Sequence, residues 1–165
     1  MKQEKILSNE KHVLLWGVVI SIMAVLVFLY NYPFYQSIDH TITATIYIDG
    51  EESDKTTVTM KGEKTNYVLR QKERYVGSFD IAFYPGTNSK SVKTDIHWDK
   101  VVDYGITYYS VGNITVRLNG PYIEYISEDM TEFVLRDKEV NIFIATSDEL
   151  FDIYATPYQQ MYNNH

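Results

Sequence analysis

The stretch Lys93-Thr94-Asp95-Ile96-His97-Trp98-Asp99 comes nearest in this chain to a constellation that could do chemistry. At the two-residue period of a strand, Asp95, His97 and Asp99 share one face, with Lys93 beside them. Such a row could ligate a metal, or a carboxylate could orient His97 as a general base. Residues two apart on a strand stand about 6.5–7 Å apart, too far for direct Asp–His contact unless the side chains lean together. The simpler reading is a solvated strand face whose opposite face carries Ile96 and Trp98. That is the expectation here, with no catalytic residue, metal site or cofactor assigned.

Other chemistry has less support. Ser78 follows Gly77 inside a strand pattern rather than in a G-x-S-x-G elbow. Of the four histidines, His12 precedes an apolar run, His40 lies in a short connection and His165 is terminal, so His97 is the one candidate base in the body of the chain. Glu51-Glu52 and Glu128-Asp129 fall in turn-like stretches where carboxylates solvate loops. Asp49, Glu51, Glu52 and Asp54 do not have the spacing of an EF-hand loop. No glycine-rich phosphate loop opens a helix. The absence of cysteine excludes disulfides, thiolate zinc sites and cysteine nucleophiles together. From Asp39 onward, 12 Lys and Arg face 20 Asp and Glu, a net charge of −8 without a basic cluster. Phosphate backbones are bound chiefly through cations, so nucleic acid is not an expected partner.

Tyrosine is the more informative excess, with 15 in the chain. Its ring offers large contact area with a polar handle, which suits protein interfaces and sugar-stacking surfaces, and it also forms strands well. Tyr47, Tyr84, Tyr109 and Tyr125 oppose the expected core face, which makes them the candidate partner- or ligand-binding residues.

The elements that must position these residues begin with an anchor. Val13–Tyr30 is 18 residues without a charge. At 1.5 Å per residue it spans about 27 Å, close to the hydrocarbon thickness of a bilayer. Val13 opens the run, Trp16 sits near that end, and Tyr30 with Tyr32, Phe34 and Tyr35 forms an aromatic belt at the other. The run is apolar on all faces, longer than a signal-peptide core, and followed by bulky residues rather than a small-x-small site. It reads as an uncleaved transmembrane helix. Lys2, Lys5 and Lys11 precede it and the next basic residue is Lys55, so the positive-inside rule puts residues 1–12 in the cytoplasm.

Residues 31–40 read as a juxtamembrane linker and 41–156 as an extracytoplasmic β domain. Thr41–Ile48 alternates, with Ile42, Ala44, Ile46 and Ile48 on one face, and Asp49-Gly50 is a turn signal. Thr56–Met60, Tyr67–Arg70, Arg74–Tyr84, Ser91–Trp98, Ile106–Ser110, Asn113–Leu118, Tyr122–Ile126, Glu132–Arg136 and Val140–Ala145 are further strand candidates. About nine short strands between turn residues indicate an all-β fold, an antiparallel immunoglobulin-like sandwich or an open barrel. Ser147 could cap a short helix that Pro157 would close, leaving 157–165 as a polar tail.

This organisation resembles that of small single-pass proteins of Gram-positive bacteria with an immunoglobulin-like outer domain. The expected function is a non-catalytic interaction module in the cell membrane, touching lipid through residues 13–30 and offering its β surface to another membrane or envelope protein. A cell-wall or carbohydrate binder using aromatic platforms is the alternative, and a hydrolase centred on His97 the third reading.

Overall fold

The computed structural model describes residues 2–69, 73–88, 92–98, 104–105, 107–110, 121–137 and 139–162. Helix α1 spans Lys2–Asn31, about 45 Å at 1.5 Å per residue. Every residue from His12 to Phe28 is exposed. The helix hands over to strand β1, Pro33–Ile48, with Tyr32 alone between them. The Tyr32 N–H still donates to the Phe28 carbonyl at 2.8 Å, and Pro33 then ends the helical pattern because it has no N–H to donate. Tyr32 stacks on Phe28 with centroids 4.7 Å apart and meets Phe34 edge-on at 5.6 Å. The junction is thereby packed by aromatic rings.

Residues 31–40, expected to be a linker, are therefore strand from Pro33 on. Pro33–His40 pairs with Met60–Tyr67 of strand β2, Glu51–Tyr67. Apart from Pro33, Ile38 and Met60, both halves of this ladder are polar, aromatic or glycine, so they lack the apolar alternation that marks a strand in sequence. β2 is likewise one long strand where the sequence suggested two pieces. At its far end the hairpin turns through Asp49 (φ 51°) and Gly50 (φ 91°), a two-residue turn with both centres left-handed. Ser53 is the extra residue of a β-bulge, since Ile46 faces Asp54 and Tyr47 faces Glu52.

The remaining strands are β3 (Arg74–Ile81), β4 (Val92–His97), β5 (Tyr104–Gly105), β6 (Thr107–Ser110), β7 (Tyr122–Ile126), β8 (Phe133–Asp137) and β9 (Ile142–Ala145). All pair antiparallel in one sheet of order β5-β7-β8-β9-β1-β2-β3-β4-β6. The two edges, β5 and β6, are separated by residue 106 alone. Gly105 and Thr107 thus lie within about 7 Å of each other, and the sheet must curl until its edges approach. This is a curled, open-barrel arrangement of antiparallel strands behind one apolar helix. The expected strand Asn113–Leu118 lies outside the described residues.

The concave face encloses the main core: Ile38, Ala44 and Ile46 from β1, Val58 and Met60 from β2, Tyr75, Phe79 and Ile81 from β3, and Phe133, Leu135 and Ile144 from the opposite wall. Phe79 and Phe133 meet edge-on at 6.2 Å although three strands separate theirs in the sheet, which is a direct sign of the curl. The expected inward parity of Tyr75, Gly77, Phe79 and Ile81 holds, while Phe83 lies beyond the strand and is exposed.

The outer face of β8, β9 and the end of β1 is covered by helix α2, Asp148–Tyr162. Ser147 Oγ accepts the Leu150 N–H at 3.3 Å, the expected N-cap. Phe151 and Ala155 bury themselves against Tyr47, Val134, Phe143 and Ala145. Pro157 does not close the helix, contrary to expectation, and the tail is helical to Tyr162. A proline there removes the bond to the Ile153 carbonyl. Ile153 lies on the exposed side of α2, where water can replace that bond.

Gly62 and Gly77 face each other across β2 and β3. A Cβ on Gly62 would lie 2.4 Å from the Val76 carbonyl oxygen, and one on Gly77 2.4 Å from that of Lys61. The Tyr75 ring lies over this gap and its hydroxyl donates to the Ser78 carbonyl at 2.6 Å. The pair lets the backbones approach where the wall bends. Gly62→Ala and Gly77→Ala should each lower the unfolding free energy by about 1–3 kcal/mol through forced backbone displacement. Denaturant unfolding of the full-length protein in detergent, against Gly17→Ala as an open-space control, checks this; unchanged midpoints would refute it.

Candidate functional site

Register places the sequence-selected polar row on the convex face near the helix end of the barrel. Tyr35, Thr65, Arg74 and His97 stand directly across from one another on β1, β2, β3 and β4. Thr94 and Ile96 point inward and are buried, so Asp95 and His97 point outward as expected. The side chains do lean together: His97 Nε2 lies 3.0 Å from Asp95 Oδ1. The carboxylate is also gripped by Arg74, whose Nε and Nη2 donate to Oδ1 and Oδ2 at 2.8 and 2.6 Å. Such a fork satisfies both carboxylate oxygens. Lys93 is exposed further along the strand, and Asp99 lies outside the described residues. Among the described residues no cluster of three or more His, Asp or Glu side chains is arranged to hold a metal ion. Asp49 Oδ1 instead accepts from Asn141 Nδ2 at 3.1 Å, and Asp54 Oδ1 accepts the Lys55 N–H at 2.7 Å.

A polar group that the sequence reading missed lies on the inner face. Lys64 continues the inward set Met60-Gly62-Lys64 on β2 and is only 2% exposed. Its ammonium sits 2.5 Å from Glu73 Oε2, donates to the Glu128 carbonyl at 2.5 Å and lies 4.8 Å from the centre of the Trp98 ring. A buried cation needs such partners, because its desolvation is otherwise uncompensated. Inward parity on an alternating strand is the signal that could have found it.

The Glu128 carbonyl is presented by a turn built on Asp129. Asp129 Oδ1 accepts from Ser127 Oγ at 2.6 Å and from Thr131 Oγ1 at 2.8 Å. The Ser127 bond, followed by those from Thr131, holds the Asp129 carboxyl down at about 2. This turn sets Met130 at φ 60° and buries its side chain completely in the core. The acidic pair Glu128-Asp129 thus has a structural occupation.

Three of the four selected tyrosines are also engaged. Tyr47 is buried under α2, stacked on Phe151 at 3.7 Å between centroids, with its hydroxyl 2.5 Å from Asp148 Oδ1. Tyr84 packs against the core, and its hydroxyl donates to Asp137 Oδ2 at 2.9 Å. Tyr125 stacks on Tyr154 at 5.1 Å beside α2. The outward parity expected for Tyr47 and Tyr125 holds, but a helix covers that side. Tyr109 lies on β6 opposite Lys93, and its side chain is outside the described set. Of the anchor residues, Val13, Trp16 and Tyr30 all stand exposed on α1.

The arrangement can hold, orient and present surface; its acid–base groups are largely tied to one another. Burial, reinforced by the acceptor carboxylates Asp148 and Asp137, pushes the Tyr47 and Tyr84 phenols well above their ordinary range. Burial alone is the main cause for Tyr75. A phenol whose folded pKa is raised favours the folded state fully below its unfolded value of about 10, and that contribution is lost as pH rises above it. In an ultraviolet titration these three tyrosines should stay protonated while exposed ones ionise, then appear together as the protein unfolds in alkali. Their ionisation alongside the exposed tyrosines, in a protein still folded, would contradict the assignment. No protein-family model, no curated protein and no solved structure matches the chain.

Proposed function

We propose that this chain is a single-pass membrane protein that uses its β domain as a non-catalytic interaction module for another membrane or envelope protein. The bilayer is crossed through residues 13–30, with residues 1–12 in the cytoplasm and the β domain outside. The observation that carries the reading is α1. His12–Asn31 is long and apolar enough to cross a membrane, and none of it is buried against the rest of the chain. A core helix would be covered by its own domain, and so much exposed apolar surface calls for an apolar surrounding. The one-residue junction into β1 supports retention of the helix over cleavage, since helix and first strand share aromatic packing at Tyr32. Lys2, Lys5 and Lys11 support the orientation.

The interaction reading draws on the same geometry. The domain stands directly on the end of α1, so its partner must be reachable near the membrane. The Asp95 carboxylate that touches His97 is shared with the Arg74 fork, which weighs against the hydrolase. The burial of Tyr47 and the stacking of Tyr125 under α2 weigh against an aromatic sugar platform. Continuous pairing from β5 to β6 favours the curled barrel over an immunoglobulin-like sandwich, the finer expectation for the fold.

A photo-cross-linking amino acid placed in the full-length protein tests the reading in native membranes. Thr41 and Thr43 are exposed positions on β1, and Tyr47 is the buried control. We expect one saturable product with a membrane or envelope protein from the exposed positions and an intramolecular product from Tyr47. Attachment only to cell-wall glycan would transfer the assignment to the ligand-binding alternative.

A further inference from the structure

Strand register fixes where β2 ends relative to α1. Tyr67 is the last residue of β2 and pairs with Pro33, the first residue of β1. β2 runs antiparallel to β1, so the chain beyond Tyr67 heads out of the barrel toward the end of α1. β2 and α1 are in contact there. The next two residues are Val68 and Leu69. They form a bend immediately past the Tyr67–Pro33 pair, next to the junction of α1 and β1.

Both side chains are exposed, Val68 by 57% and Leu69 by 49%. Exposed apolar residues that occur singly need no explanation, but these two are consecutive and follow the residue that pairs with Pro33, in a stretch of β1 and α1 where Tyr30, Tyr32, Phe34 and Tyr35 are exposed as well. The patch is therefore continuous with the aromatic end of the apolar helix. Tyrosine and phenylalanine at that position mark the headgroup level of a bilayer. Whatever apolar medium surrounds Tyr30 must also lie within reach of Val68 and Leu69.

We propose that the bend at Val68 and Leu69, just past β2, is a second bilayer contact that seats the β domain on the outer leaflet. The inference rests on the reading of α1 as a transmembrane helix. A helix alone leaves the domain free to rotate about the helix axis and to tilt. A second insertion point a short way from the axis fixes both. It turns one side of the barrel toward lipid and holds the Asp49–Gly50 turn at the far end of β1, about 50 Å of strand away. The surface open to a protein partner is then the membrane-distal part of the barrel rather than the base.

The chain has no cysteine, so single-cysteine variants carry one label each. Val68→Cys and Leu69→Cys, with Tyr30→Cys, Val19→Cys and Glu51→Cys as references, are labelled with a nitroxide. The full-length protein is reconstituted in phosphatidylcholine–phosphatidylglycerol liposomes. Accessibility to oxygen is compared with accessibility to a polar nickel chelate. Labels at 68 and 69 should match the label at 30 and show an oxygen preference severalfold above that at 51, placing them within about 5–10 Å of the headgroup boundary. If they are as open to the chelate as residue 51 while residue 19 is shielded, the second contact is wrong and the anchor stands. A residue 19 open to the chelate would overturn the anchor and this inference with it.

Discussion

The structure depends on the continuity of one strand with one helix. β1 begins a single residue after α1 and runs 16 residues to the turn at Asp49–Gly50. β2 pairs with it along its whole length, and β9 pairs only with its last four residues, Thr45–Ile48. Everything else is built outward from this ladder. β3 and β4 extend it on one side, β8 and β7 on the other, and the segment through Gly105 and Thr107 belongs to both edges. A flat nine-stranded sheet could not be spanned by that segment, so the curl follows from chain connectivity as well as from strand twist. The Gly62–Gly77 pair supplies the close approach that the bend requires, with the Tyr75 ring filling the space where side chains are missing.

Two devices close the curled sheet. Near the helix end, Lys64 enters the interior and binds Glu73, the Glu128 carbonyl and the face of Trp98. It thereby joins β2, the start of β3, the end of β4 and the turn between β7 and β8. Removing one partner from such a buried group typically costs about 3–5 kcal/mol, because the other is left uncompensated. On the outside, α2 gives the β8–β9 wall a second apolar layer, which explains why Val134, Phe143 and Ala145 are buried although they face away from the main core. At the opposite end from α1, Asn141 and Asp49 tie the two distal turns together by a side-chain bond at 3.1 Å and a backbone bond at 3.4 Å.

Much of this was legible in the residues. The unbroken apolar run marked α1, Asp49-Gly50 marked the hairpin, and period-two alternation marked β3 and β4 with correct inward parity. What escaped was strand without apolar alternation. Pro33–Ser37 and Lys61–Tyr67 pair through backbone groups, and no periodic signal records that. Pro157 misled because its loss of one donor falls on the solvent side of α2. Tyr47 and Tyr125 were read with the right parity, whereas Tyr84 packs against the main core; a strand pattern has no means of announcing that α2 will fold back over the outer face. Lys64 was overlooked because lysine usually marks solvent, and its partners come from three distant segments. The Asp95–His97 contact was judged too long because ideal strand spacing ignores how far two side chains on one face can incline toward Arg74 and each other.

The proposed function rests on how the domain is placed. The most direct test of that placement is labelling with a membrane-impermeant maleimide in intact cells, using Ser8→Cys and Asp54→Cys in the full-length chain. A single retained span with the β domain outside predicts labelling at residue 54 in intact cells and at residue 8 only after lysis, both on a protein of full length. Labelling of residue 8 with protection of residue 54, or a shortened product lacking residue 8, would contradict the account.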